Sequence, residues 1–207
     1  SIELTASERI ARIRSDFRMG VAVGFRSGLE KWLVASSETI TLSRFNGMRK
    51  LGPLELAITD WRAQTLSTWA TDGDIARLAI PDDKDLDWVH SVCDPSDDFN
   101  TPLKGPFTPI FGGSADVSRT ALAICKTAHL IPSAVMVNIT DQDIVGLDFV
   151  DLEQILSLIL NPSNQLIEVS AANVPLQVAE ASRVHVFRPQ DGGEEHYAIE
   201  IGNPDRN

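Results

Sequence analysis

The densest group of side chains able to do chemistry is Glu194-Glu195-His196. Carboxylates and imidazole bind zinc and carry protons, so the triplet raises a metal or acid–base reading. Strand geometry counts against it. Neighbours on a strand point to opposite faces, which separates Glu195 from His196, and Glu194 with His196 supplies too few ligands. A hairpin strand is the plainer reading. The other imidazoles are scattered. His129 stands near a helix end, where a cation complements the helix dipole. His90 lies in an acidic stretch with no evident partner. His185 alternates with Val184 and Val186 and is expected to face solvent. No nucleophile elbow and no GxGxxG or GxxxxGK[ST] phosphate loop occurs. Gly112-Gly113 ahead of a helix could hold an anion at its N-terminus, although a plain turn is the simpler account. Arg62, Arg119 and Lys126 would contact a ligand phosphate if the fold brings them together. No catalytic residue and no metal ligand is assigned. Cys93 and Cys125 form no CxxC pair and read as reduced, buried or half-buried thiols.

These residues must be positioned by a chain of 207 residues, enough for one large domain or for a domain and a fragment. Apolar residues (43%) and charged residues (23%) stand in the ratio of a globular protein. The net charge of −11 disfavours nucleic acid and anionic membrane as partners. The longest apolar run, Leu122 to Met136, is broken by Lys126, His129 and Pro132 and falls short of the roughly 20 residues of a membrane span. The N-terminus lacks a signal-peptide pattern, so a cytoplasmic location is expected.

Helical and strand patterns alternate. Ile10, Ile13 and Phe17 define a helix over Ser7 to Met19, with Ser7 as expected N-cap and Gly20 as its end. Val21 to Phe25 and Lys31 to Ala35 read as a hairpin. Ser37 or Thr39 is expected to cap a helix over Leu42 to Lys50. Leu54 to Thr59 is a strand, and Asp60 caps a helix to Ala70 with Trp61, Leu66 and Trp69 as its apolar contacts. Ile75 to Ile80 is a strand and Leu86 to Val92 a short helix. Asp94 to Gly113 is a proline-rich loop. A helix runs from Ser118 to Leu130, capped by Asp116 or Ser118, and Ser133 to Ile139 is a strand. Asp148 to Leu160 is a leucine-rich helix. Leu166 to Ser170, Arg183 to Arg188 and His196 to Ile201 are strands, the last two joined by a turn at Gln190-Asp191-Gly192-Gly193. The pattern predicts an α/β (α+β) domain over 1–165, then a separate β unit over 166–207.

Two stretches resemble known families. Asn46-Gly47-Met48-Arg49, Leu56-Ala57-Ile58-Thr59, Gly105 to Ile110 and the helix Ser118 to Pro132 occur in the order found in 3,4-dihydroxy-2-butanone 4-phosphate synthase. That resemblance implies a mixed sheet with helices. It also exposes departures. The synthase family carries an acidic Asp-x-Glu-x-Glu-Gly-Asp loop whose carboxylates hold magnesium and move protons. Arg26 to Lys31 stands there instead and keeps only Glu30. The family's His-Thr-Glu-Ala motif matches Val117-Ser118-Arg119-Thr120, so Val117 replaces the metal-binding His and Arg119 the Glu.

The end of the chain is similar to the first strands of GTP cyclohydrolase II, a zinc enzyme of riboflavin biosynthesis. Val174-Pro175-Leu176, Phe187-Arg188-Pro189 and Asp191 to Ile199 carry that likeness. The family's zinc cysteines would lie beyond residue 207, and Cys93 and Cys125 sit in the wrong domain to replace them. The resemblance thus implies the N-terminal portion of a longer protein, with zinc in the other part and no cofactor in this one. It implies a non-catalytic interaction or regulatory region whose partners are a second copy (a homodimer) and the cyclohydrolase domain of the same parent. The alternative is an enzyme or binding domain for a phosphorylated small molecule, held by Lys104, Arg119 and Lys126.

Overall fold

The structure is a computed structural model that describes residues 2–160, 166–173, 182–189 and 195–201. Nine strands are named among them: β1 (Val23–Ser27), β2 (Glu30–Ser36), β3 (Leu54–Thr59), β4 (Ile75–Ala79), β5 (Ser133–Asn138), β6 (Phe149–Asp151), β7 (Leu166–Asn173), β8 (Ser182–Pro189) and β9 (His196–Ile201). The helices are α1 (Ala6–Arg18), α2 (Leu42–Arg49), α3 (Asp60–Thr65), α4 (Leu86–Cys93), α5 (Asp116–Thr127) and α6 (Leu152–Leu160).

Six strands form one mixed sheet in the order β4-β3-β5-β2-β1-β6. All pairs are antiparallel except β1 with β6. Both faces of this sheet are buried, as the strand sequences require. On β2, Trp32 and Val34 pack under α1, α5 and α6, while Leu33 and Ala35 face α2 and α4. On β3, Ala57 joins the first side, and Leu54, Leu56 and Ile58 the second. The result is a three-layer α/β/α core. The second sheet, β7-β8-β9, is antiparallel throughout.

Helix ends differ from expectation in instructive ways. Thr5, not Ser7, caps α1: its hydroxyl accepts from the Glu8 N–H at 3.3 Å, and Glu8 accepts from the Thr5 N–H at 2.7 Å. A capping box needs an acid three residues on, which Thr5 has and Ser7, followed by Ile10, lacks. Thr41 caps α2, because Thr39 instead donates its hydroxyl to the Phe17 carbonyl. Thr59 caps α3, and Asp60 becomes a first-turn residue. That helix buries Arg62 and Ala63, which turns Trp61 (68% exposed) outward, and it stops at Thr65, which leaves Trp69 (74%) beyond it at the surface; only Leu66 packs inward. Neither Asp116 nor Ser118 caps α5; the Ser114 hydroxyl accepts from the Asp116 N–H at 3.2 Å. The helix expected from Asp148 starts at Leu152, since Phe149–Asp151 pair with β1 as an edge strand. The turn at Gln190 to Gly193 and a boundary at residue 165 fall outside the described residues.

Candidate functional site

Charged residues on the first sheet fall into two groups, one at the β1–β2 hairpin and one where the start of α5 meets the lead into β4. Ser27 pairs with Glu30, which leaves a two-residue turn, Gly28-Leu29, with Gly28 at φ +58°. No acidic loop fits in so tight a turn. Glu30 accepts a hydrogen bond from Trp32 Nε1 at 3.1 Å. Arg26 pairs with Asp151 at 3.7 Å and Lys31 with Asp143 at 3.4 Å. At the start of α5, Val117 is buried, and Arg119 grips Asp74 with two bonds of 2.8 Å. The guanidinium holds the Asp74 carboxyl below its usual range, and Asp74 in turn raises Arg119. Arg77, buried on β4, binds Asp72 at 2.9 and 3.2 Å and the Gly112 carbonyl at 2.6 Å. Gly112-Gly113 is thus tied to the protein's own arginine, and the first turn of α5 carries its own acid, Asp116.

Glu55 is the exception to this self-neutralised pattern. It is half-buried, and its Oε2 has no hydrogen-bond partner. Burial raises its pKa, Arg77 lowers it, and the nearby Glu30 raises it. A raised folded-state pKa adds stability below the unfolded value, and that contribution is lost as pH rises through the folded value. Glu55→Gln is therefore expected to gain on the wild type between pH 4 and 7, reaching about 1 kcal/mol at pH 7. Urea midpoints at the two pH values check this; a gap that shrinks toward pH 7 would refute it.

A second cluster lies on the α3–α4 side. Arg62 is 4% exposed and Lys104 7%. Both grip Asp98: Arg62 through paired bonds of 2.7 Å, Lys104 through its ammonium. Arg62, then Lys104, hold the Asp98 carboxyl well below the usual range. Asp98 and Lys104 form part of the wall of a cleft of about 800 Å³, together with Leu66, Trp69, Leu103 and Phe107.

The expected ligand set is thus divided. Lys104 lines this cleft with Arg62 behind it, whereas Arg119 and Lys126 lie on α5 and do not line it. Lys126 is exposed. The link between Arg62 and Lys104 runs through Asp98, 36 positions from the first and 6 from the second, a separation that no motif marks.

The remaining candidates are placed as follows. His185, expected at the surface, is half-buried, and its Nε2 meets Glu200 at 3.0 Å across the β8–β9 pair. Glu195 binds Arg188 and accepts from the Tyr197 hydroxyl at 2.9 Å, and His196 is exposed. Glu194 lies outside the described residues. His129 closes α5 at φ +58°. Its N–H bonds to Lys126 O and that of Leu130 to Cys125 O, the Schellman pattern of a helix end. His90 Nε2 is buried without a partner.

Among the described residues no three His, Cys, Asp or Glu side chains are grouped to hold a metal. Cys93 and Cys125 are buried against Ser133; burial pushes both thiols up, Cys125 to about 12. Thiols held so firmly protonated are poor nucleophiles and poor ligands.

By fold this is a synthase-like protein. The solved structures it resembles include a 3,4-dihydroxy-2-butanone 4-phosphate synthase in a cation-free form, at a TM-score of 0.53 and 14% identity, covering 74% of this chain and 98% of that one. The synthase of Candida albicans matches at a TM-score of 0.50 and 14% identity, over 72% of this chain and 96% of that one. In sequence the chain is related to a GTP cyclohydrolase-2 of Azospirillum brasilense, with 28% identity over 211 residues that take in 97% of this chain. The match spans 52% of that relative, so this chain corresponds to about half its length. No family model matches the chain. Among the described residues no helix is long and apolar enough to cross a membrane.

Proposed function

We propose that this chain is the non-catalytic, synthase-like portion of a GTP cyclohydrolase II-type protein, which opens the guanine ring of GTP in riboflavin biosynthesis. Its role is association: it forms a cytoplasmic homodimer and supports the cyclohydrolase part, where zinc belongs. One observation carries the reading. At the start of α5, Val117 is buried and Arg119 is locked to Asp74, where the synthases place a metal-binding His and an acid. An arginine neutralised by its own aspartate leaves neither a metal ligand nor a proton carrier at that point. The scaffold persists although the groups that would do the chemistry are gone.

The expected result with ribulose 5-phosphate and magnesium is no formate above the protein-free background. Formate and product formed at a rate proportional to protein would sink the non-catalytic reading. Sedimentation supplies the other half of the test: a monomer at micromolar concentration would remove the proposed associating role.

A further inference from the structure

We propose that the cleft on the α3–α4 side is a binding site for a small organic anion with a flat apolar body, its acid group seated on Lys104. This reading concerns a different place from the α5 end and stands whether or not the chain has synthase chemistry. Three observations carry it.

The first is an imbalance of buried donors. Side-chain exposure is 5% for Arg62 and 4% for Lys104, and between these cations lies one carboxylate, Asp98. An ammonium carries three donors. Among the described residues Lys104 finds one side-chain partner, the same Asp98 oxygen that Arg62 Nη2 uses. The neighbouring acids do not make up the difference. Asp94 caps the Ser96 N–H at 2.8 Å, and Asp97 accepts from Thr101 and Asn100. A buried ammonium with unused donors is costly unless something in the cleft accepts from it.

The second is preorganisation. Lys104 does not reach the cleft on a loose loop. Trp88 Nε1 donates to its carbonyl at 3.0 Å, and Trp88 packs against Phe107, ring centroids 6.2 Å apart. The cation is therefore fixed from behind, so a ligand would not bear the cost of ordering it.

The third is the wall. Trp69 is 74% exposed and Leu103 96%, and both line the cleft with Leu66 and Phe107. An apolar wall with a few convergent polar groups and a volume of about 800 Å³ is the composition of a small-molecule site.

The probe is 1-naphthylacetate, compared with its neutral amide by calorimetry and by amide chemical shifts of the full chain. The acid is expected to bind at least about tenfold more tightly than the amide, the worth of one charge-assisted hydrogen bond. Shifts should centre on the 101–108 segment. Lys104→Met should erase the preference for the acid, and Trp69→Ala should weaken both compounds. Should Lys104→Met fail to fold, Leu103→Glu serves instead: it sets a carboxylate at the exposed rim and should weaken the acid alone. Equal binding of acid and amide, no binding at millimolar concentration, or shifts away from 101–108 would each overturn the proposal.

Discussion

Arg62→Ala is expected to destabilise the protein by about 3–5 kcal/mol, the cost of breaking a buried, hydrogen-bonded charge pair from one side. The size follows from what the guanidinium does. Its Nε donates to the Val92 carbonyl at 2.7 Å, and Nη2 reaches the Ser91 and Asp94 carbonyls at 3.3 and 3.4 Å. Those are carbonyls at the end of α4, which has no intrahelical partner to offer them. The same group pins Asp98 and so fixes the loop that carries Lys104. One side chain from α3 therefore closes a helix and anchors a loop. Alanine leaves the carbonyls of a buried helix end and one carboxylate partly unpaired. Arg62→Lys should recover little, because a single ammonium cannot make the paired contact and reach the carbonyls as well.

The pH dependence should change with it. Asp98 is held below the usual carboxylate range, first by Arg62 and then by Lys104. A depressed pKa adds stability that is present above the unfolded value and lost as pH falls through the folded one. The wild type should therefore lose stability on acidification below about pH 4, and Arg62→Ala should show a shallower acid slope. Urea unfolding from pH 2 to 7 measures both effects. A variant within about 1 kcal/mol of wild type at pH 7, or with an unchanged acid slope, would show that the pair is dispensable.

The sheet was legible because alternation on its strands is a local signal. Leu54-x-Leu56-x-Ile58 and the run Ala134 to Val137 can be read without knowing their neighbours. Helix caps are legible only where the partner residue lies close in sequence. The Thr5–Glu8 box is visible in sequence, whereas the use of Thr39 to bind Phe17, 22 positions away, is not. Trp61 and Trp69 read as core because large aromatics usually are; α3 instead buries Arg62 and Ala63, and it ends before Trp69. The short hairpin and the scarcity of acids at Arg26 to Lys31 could be read from the chain. The cleft could not. Its floor joins α3 to a loop more than thirty residues on, and only packing brings Arg62, Asp98 and Lys104 together. His185 shows the same limit. Alternation with valines fixed its face of the strand, but the Glu200 that shelters it comes from the register of β9.

Gly20→Ala is the second change expected to be severe, at about 3 kcal/mol or more. Gly20 follows α1 at φ +70°, its N–H bonded to Phe17 O at 3.1 Å and that of Val21 to Asp16 O at 2.8 Å. This is the Schellman end in which glycine is favoured. Conformation alone would cost an L-residue roughly 1–2 kcal/mol. His129 tolerates the same conformation at the end of α5, so φ is not the whole of the matter. What sets Gly20 apart is the Thr39 carbonyl: a Cβ would sit 2.1 Å from its oxygen and 2.8 Å from its carbon. Backbone cannot swing aside as a side chain can. The obstructing carbonyl belongs to the residue whose hydroxyl bonds to Phe17, so relief of the clash would pull that bond apart and shift the lead into α2. Thr39→Val separates the two contributions, since it loses only the hydrogen bond, about 1 kcal/mol. A urea series on Gly20→Ala, Thr39→Val and the double variant should show the pair to be non-additive, because both act on one contact. If Gly20→Ala costs no more than the conformational part, the close approach of α1's end to residues 39–40 is not what makes glycine necessary there.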